Sequence, residues 1–332
     1  MKVLFIGGTG VISSACSELA LARGIELYLL NRGESARPAP SGARILRADI
    51  RDAAGAAAAL DGQRFDAVVD WIAFTPDQVA ADIALFRGRT GQYIFISSAT
   101  VYEKPPSRLP IVEDTPLNNP FWTYAANKIA CEALLQEAAR TEGFPSTIVR
   151  PSHTYDRTKL PVTGGYTSVA RMRQGKPVVV QGDGTSTWVL THHRDFAVGF
   201  VGLLGNAAAI GEAFHITSDE LLTWNQIYTL VGRAAGVEPR LVHIPSDVIA
   251  RYDSEWGAGL LGDKAHSVIF DNRKLKRFVA DFAPSIPFSR GAEEIIEWPA
   301  LLAMAWFDAD PARQRVDVRL DALMDELIGK WG

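Results

Sequence analysis

Short apolar runs alternate with longer stretches of helical periodicity through the first 150 residues. Val3–Ile6, Glu26–Leu30, Arg44–Leu46, Ala67–Val69, Tyr93–Ile96 and Thr147–Val149 read as strands without polar alternation. That is the pattern of a parallel sheet covered on both faces. Ser14–Arg23, Asp77–Arg87 and Tyr124–Thr141 have helical length and spacing, and alanine-rich Ala53–Ala59 reads as a short helix. The repeated strand–helix rhythm predicts an α/β fold, a doubly wound parallel sheet of the Rossmann kind.

After Arg150-Pro151 the rhythm loosens, with glycine pairs, prolines and frequent aromatics. One more helix, Asp195–Leu204, and one more strand, Gly211–Ile216, return to the earlier pattern. Thr223 with Gln226 three residues on forms the signature of a capping box, starting a helix that runs to about Ala235. The expected division is a dinucleotide-binding domain of residues 1–155 plus about 193–217. A smaller, irregular C-terminal substrate domain takes residues 156–192 and 218–332.

Composition narrows the function classes. A net charge of −4 gives no electrostatic reason to expect nucleic acid or an anionic membrane as partner. Two cysteines, Cys16 and Cys131, make no disulfide framework and suit a reducing cytoplasm. The opening apolar run is too short for a signal peptide, and no run approaches a membrane span. His192-His193 lacks partners at ligand spacing, so no metal site is expected.

The chemistry begins at Gly7-Gly8-Thr9-Gly10-Val11-Ile12-Ser13, which follows the first strand and opens a helix. Glycines there permit a tight turn and let backbone N–H groups approach a pyrophosphate at the helix N-terminus. Ser13 replaces the usual third glycine and is still small. The second strand ends at Asn31-Arg32, where a carboxylate suits the ribose of NAD and an arginine suits the 2′-phosphate of NADP. Arg32 therefore leans towards NADP. Asp49 stands where a carboxylate meets an adenine amine or caps a helix.

Further along, Ser97-Ser98 ends the strand Tyr93–Ile96, and Tyr124 and Lys128 share one helical face. Tyr-x-x-x-Lys alone recurs by chance; its order behind a glycine turn and a serine pair gives it weight. A free tyrosine has a pKa near ~10, so ionisation near neutrality needs about 4 kcal/mol of help. A neighbouring ammonium supplies such help. Ser98 can hold a substrate oxygen while Tyr124 moves the proton.

These segments, with Arg150-Pro151-Ser152-His153-Thr154-Tyr155, give a chain that resembles the extended short-chain dehydrogenase/reductase superfamily, in its NAD-dependent epimerase/dehydratase branch. The resemblance implies a catalytic set of Ser98, Tyr124 and Lys128. It implies cofactor contacts, to NADP or NAD, at Gly7, Thr9, Gly10, Val11, Ile12, Asn31, Arg32, Asp49, Ile50, Ile72, Ala73, Lys128, Pro151, Ser152 and His153.

The chain also departs from its apparent relatives. The family's sugar 4,6-dehydratases carry an acidic pair where this chain has Ala99 and Thr100, so the acid for eliminating water is missing. Gly182-Asp183-Gly184 is present, but the arginine that follows it in nucleotide-sugar enzymes falls on Trp188. Tryptophan offers no bidentate fork to a diphosphate. Arg171, Arg173 and Arg194 are the candidate substitutes.

The expected function is an NAD(P)-dependent oxidoreductase or epimerase acting by hydride transfer at a secondary alcohol of a small, sugar-like molecule. The alternative is a nucleotide-binding sensor or RNA-associated scaffold without turnover, since an RNA-associated branch of the superfamily also has diverged substrate segments. Glu293, Glu294 and Glu297 read as a solvated helix face, Trp256, Trp298 and Trp306 as core. The tail from Ala312 to Lys330, with Val316, Leu320, Leu323 and Leu327 at helical spacing, reads as a docking helix for its own domain or for a homodimer.

Overall fold

The computed structural model describes residues 1–298 and 318–326. They divide into two compact units. The first comprises Met1–Thr154, His193–Asp219 and Phe270–Ser285. Along it run β1 (Lys2–Ile6), α1 (Val11–Ala22), β2 (Glu26–Asn31), β3 (Arg44–Arg47), α2 (Ala53–Ala59), β4 (Ala67–Asp70), α3 (Pro76–Phe86), β5 (Tyr93–Ile96), α4 (Thr123–Glu142) and β6 (Ser146–Pro151). With Ala213–Ile216 the strands form a seven-stranded sheet in the order Ala213–Ile216, β6, β5, β4, β1, β2, β3. Every pairing is parallel, for example Val3 opposite Leu27 and Phe95 opposite Ile148.

Strand ends fall within a residue or two of those read from the pattern, because both sheet faces are covered. Val3, Phe5, Leu27, Leu29 and Val69 enter one apolar cluster with Cys16, Ala20, Phe196 and Phe200. Their neighbours Leu4, Ile6, Leu30 and Val68 enter another with Val79, Ile83, Cys131 and Leu135. Alternate side chains point to opposite faces, so burial on both demands unbroken apolar runs. Chain order reverses between β1 and β4, the place where open α/β sheets leave a crevice at their carboxyl ends.

Helix α1 starts earlier than its apolar spacing suggests, because the Gly10 amide donates to the Ser13 hydroxyl and so makes a cap of 2.8 Å. Helix α3 starts on Pro76, with Gln78 accepting from the amides of Phe74 and Thr75. Phe270–Ser285, a stretch the sequence reading places in the second domain, clusters with the first unit. Its Leu275, Val279 and Phe282 lie in the first unit's core.

The second unit holds Tyr155–His192, Glu220–Ile269 and the residues from Ile286 on. Its strands are short: Val178–Gln181 pairs with Leu241–Ile244, and Thr187–Trp188 with Leu222–Thr223. The capping box is present, with Gln226 donating its amide to Thr223 and accepting from the Thr223 amide at 2.8 Å. It opens the helix Trp224–Ala234. In the tail, residues 318–326 are helical and bury Leu320, Leu323 and Met324 against Val179, Ile244, Ile249 and Leu260. The tail thus docks on its own unit, whereas Val316, Leu327 and Trp306 lie outside the described residues.

Candidate active site

Gly7 and Gly8 both hold φ of +97°, the left-handed region that glycine alone occupies readily. The Gly7 amide bonds the Leu30 carbonyl at 2.9 Å, tying the turn to β2. A side chain at Gly8 would meet Leu29 at 2.7 Å. Thr9 stands half-buried at the turn, Val11 is the first residue of α1, and Ile12 packs partly on the core.

Beside the turn lies a cavity of about 550 Å³. It brings together Gly7, Asn31, Arg32, Asp49, Ile50 and Ile72, which are scattered over three βα crossings of the sequence. Asn31 accepts from the Gly33 amide at 3.0 Å, which bends the chain away from β2. Arg32 stands 3.3 Å from Glu34 and 3.8 Å from Asp49, so two carboxylates compete for it. Asp49 is not a helix cap, because Asp52 precedes α2. It accepts from the Arg51 amide at 2.9 Å and lines the cavity. Phe74 and Gln78 complete one wall, and Arg51 bonds the Ile72 carbonyl.

Sequence reasoning missed Arg37. Its guanidinium donates to the Gly10 carbonyl at 3.0 Å and also bonds Ser14, putting a second cation on the first turn of α1. Nothing in the spacing marks it, since the connection from β2 to β3 carries no periodicity. A glycine cradle, a helix N-terminus, Arg37 on that helix's first turn and Arg32 lining the cavity form a donor set that fits a dinucleotide's phosphates.

At the sheet's carboxyl edge, Lys128 is 2% exposed and donates to the carbonyls of Ala73 and Ile96, each at 2.7 Å. Burial lowers its pKa to about 8, with Cys131, Asp70 and Glu132 opposing that shift. Its nitrogen stands 4.6 Å from the Phe74 ring centre and 5.8 Å from that of Tyr124. Tyr124, half-buried on the first turn of α4, packs on Trp122 at 5.0 Å and Phe74 at 6.5 Å.

The serine pair divides. Ser97 turns inward and donates to Glu132 at 2.5 Å. Ser98 stays half-buried and caps a short turn, accepting from the Thr100 amide and hydroxyl at 3.2 and 3.0 Å. Pro151 ends β6, and Ser152 and His153 follow it half-buried at the same sheet edge.

Behind this edge, Arg150 holds Glu132 through two bonds of 2.6 and 3.0 Å, and also donates to Tyr102 and the Glu113 carbonyl. Tyr102 meets His215 Nδ1 at 3.1 Å, and His215 Nε2 faces the Asp271 carbonyl at 3.0 Å. The proton of the ring therefore sits on Nε2. Desolvation lowers the His215 pKa to about 4. Both cysteines are buried and unpaired, and burial raises both thiols, that of Cys131 to about 11.

In the second unit, Trp188 is buried against Trp224 at 5.3 Å, so this position is core. Arg171 is 1% exposed and ion-paired to Asp321 at 2.8 Å, a structural role that removes it from the candidate anion binders. The reading of Glu294 as solvated needs correction: it meets His192 at 3.2 Å. Among the described residues no group of acidic, histidine and cysteine side chains forms a metal site, and no helix is long and apolar enough to cross a membrane.

Parallel strand order, a glycine turn at the switch point and a buried lysine one helical turn from a tyrosine define a dinucleotide-binding α/β protein of the Rossmann type. The sequence model of the NAD dependent epimerase/dehydratase family matches residues 3–217, and the chain belongs to that family. The family is described as one of NAD dependent epimerases and dehydratases.

Among curated relatives, it is 28% identical to the chloroplast stem-loop binding protein of 41 kDa b of Arabidopsis thaliana, over 73% of this chain and 65% of that protein. The matched stretch is thus less than two thirds of that relative's length. It is 25% identical to 2'-dehydrokanamycin reductase of Streptomyces kanamyceticus, over 79% and 72% of the two chains. The fold is similar to that of UDP-glucuronic acid 4-epimerase from Bacillus cereus, solved with UDP-glucuronic acid and NAD. The TM-score is 0.72 at 19% identity, covering 91% of this chain and all of that one.

Proposed function

We propose that the protein is an NAD(P)-dependent epimerase or reductase acting at a secondary alcohol of a small, sugar-like substrate. The observation that carries this reading is the Lys128 ammonium, buried beside the Tyr124 ring and held by carbonyls at the carboxyl edge of the sheet. In this reading the first unit binds the dinucleotide and the second contributes to the substrate. Gly7, Thr9, Gly10, Val11 and Ile12 hold its pyrophosphate by their backbone. Asn31, Arg32, Asp49, Ile50, Ile72 and Ala73 surround the adenosine end, and Pro151, Ser152 and His153 lie by the nicotinamide end.

When bound, the nicotinamide supplies the hydride acceptor and donor. Tyr124 takes the proton of the substrate hydroxyl on oxidation and returns it on reduction. Lys128 favours the phenolate by its charge, acting at a distance from the ring. Ser98, left outward when Ser97 turned inward, orients the substrate oxygen. Trp188 in the core and Arg171 in an ion pair support a substrate not clamped through a diphosphate at these positions.

The scaffold reading has less behind it, since Ser98, Tyr124 and Lys128 are all present and the matching family is described by its epimerases and dehydratases. The same reading carries a cytoplasmic location, supported by two unpaired buried cysteines, a small-molecule partner, no nucleic acid, and a homodimer as the assembly to test.

Mass spectrometry of nucleotide released from freshly purified protein, followed by NAD and NADP titration, tests it. Retained stoichiometric NAD is the expected result for an epimerase, and an empty protein that takes up NADP is the expected result for a reductase. Failure to bind either overturns the proposal.

A further inference from the structure

Asp70 ends β4 and is completely buried. Its Oδ1 accepts from the amides of Ile72 at 2.5 Å and Ala73 at 2.9 Å. The Ala73 carbonyl in turn accepts from Lys128 at 2.7 Å. One carboxylate oxygen therefore sets the turn that carries both a wall of the cofactor cavity, through Ile72, and half of the lysine's cradle.

The other oxygen, Oδ2, is buried and has no donor among the surrounding amides and hydroxyls. Its neighbour is the carboxyl of Asp82 on α3, 1% exposed, which accepts from the Tyr93 hydroxyl at 2.6 Å. Burial first, then Asp70, pushes the Asp82 carboxyl well above its ordinary range, with Tyr93 and Arg51 opposing. Two adjacent buried carboxyls do not both ionise; a proton on Asp82, whose carboxyl burial pushes up, satisfies Oδ2.

We propose that Asp70 is a positioning residue for Lys128: it fixes the Ile72–Ala73 turn that holds the ammonium and supplies the negative charge behind it, while Asp82 and Tyr93 close the far side of the carboxyl pair. The proposal rests on the reading of Lys128 as part of the cofactor site. The charged or titratable groups facing Lys128 are Asp70 from β4 and Tyr124, Cys131 and Glu132 from α4. Asp70 is thus the one contributed by the cavity-lining turn's own strand. A merely structural carboxylate would steady the turn without setting the titration of the amine. Asp70 does both.

The test is cofactor binding, followed by quenching of intrinsic tryptophan fluorescence with NADH and NADPH over a pH series, on wild type, K128M, D70N, D70A and D82N. Wild type is expected to lose affinity as pH rises through the Lys128 pKa of about 8, a step absent in K128M. Asn at position 70 keeps an oxygen for the two amides but removes the charge. D70N should therefore bind within about threefold of wild type at low pH, with its step moved down by about one pH unit. D82N leaves Asp70 charged and should leave the step in place.

D70A should lose affinity at every pH, and D70N, as the isostere, carries the test if D70A does not fold. A D70N curve superimposed on wild type, with K128M still lacking the step, overturns the proposal and leaves the Lys128 reading standing. A wild-type curve identical to that of K128M overturns both.

Discussion

The Arg150 guanidinium meets the Glu132 carboxylate at 2.6 Å, with 3% and 1% of the two side chains exposed. Glu132 also takes the Ser97 hydroxyl, and Arg150 also donates to Tyr102 and to the Glu113 carbonyl. The pair thus ties α4, which carries Tyr124 and Lys128, to the carboxyl ends of β5 and β6. Removing one partner strands a buried charge, which typically costs about 3–5 kcal/mol. Glu132→Ala is expected to lose that much in urea unfolding. Glu132→Gln should lose less, because it can still accept from Ser97 and Arg150.

Tyr124→Phe removes the hydroxyl to which we assign the proton transfer but keeps the ring packed on Trp122 and Phe74. Turnover should fall by about 10²–10⁴. Affinity for the dinucleotide, measured by titration, should change by less than about threefold, since the half-buried ring and its packing persist. Turnover equal to wild type would remove Tyr124 from the chemistry.

Arg32 lies between Glu34 and Asp49, at 3.3 and 3.8 Å. A 2′-phosphate would compete with both carboxylates for the guanidinium, and Glu34 is the more exposed of the two. Glu34→Gln is expected to raise affinity for NADP several-fold while leaving NAD little changed. Arg32→Ala should lower NADP affinity by about 1.5–3 kcal/mol, the usual worth of a charge-assisted bond. Calorimetric titration with both dinucleotides reads each effect.

His215 is fully buried, and its pKa of about 4 in the folded chain lies below the ordinary 6.5. Between those values the unfolded chain takes up a proton that the folded chain refuses. The stability this group contributes is therefore present above pH 6.5 and lost as pH falls towards 4. The loss reaches about 3 kcal/mol at most. Glu113, whose carboxyl burial raises, runs the opposite way, so the difference between wild type and His215→Gln isolates the imidazole. The variant should show a flatter decline in urea-unfolding free energy across this window.

The fold was legible because its signals are local. Strand runs such as Val3–Ile6 and Tyr93–Ile96 are short enough for their own periodicity to announce them, and the glycine turn announces itself by backbone need. The order of Ser98, Tyr124 and Lys128 was legible for the same reason, since an i, i+4 pair on a helix needs no tertiary information to share a face. That position 188 carries an indole and no cationic fork is plain from the residue type, whereas its burial against Trp224 depends on a pairing across the sequence. Glu294 was misread because a helix face facing His192 and one facing water carry the same letters.

What the sequence alone determined is the parallel sheet, the glycine turn after β1 and the residue types of the proposed catalytic set, all set by spacing within one element or turn. What only the tertiary structure decided is which groups meet. Arg37 returns to the first turn of α1, Ser97 turns to Glu132 and leaves Ser98 outward, and Asp70 reaches Lys128 through the Ala73 turn. Each of these depends on strand register and on the path of a connection between elements. Neither leaves a periodic trace in the chain, because a hydrogen bond between distant residues constrains only two positions and leaves everything between them free.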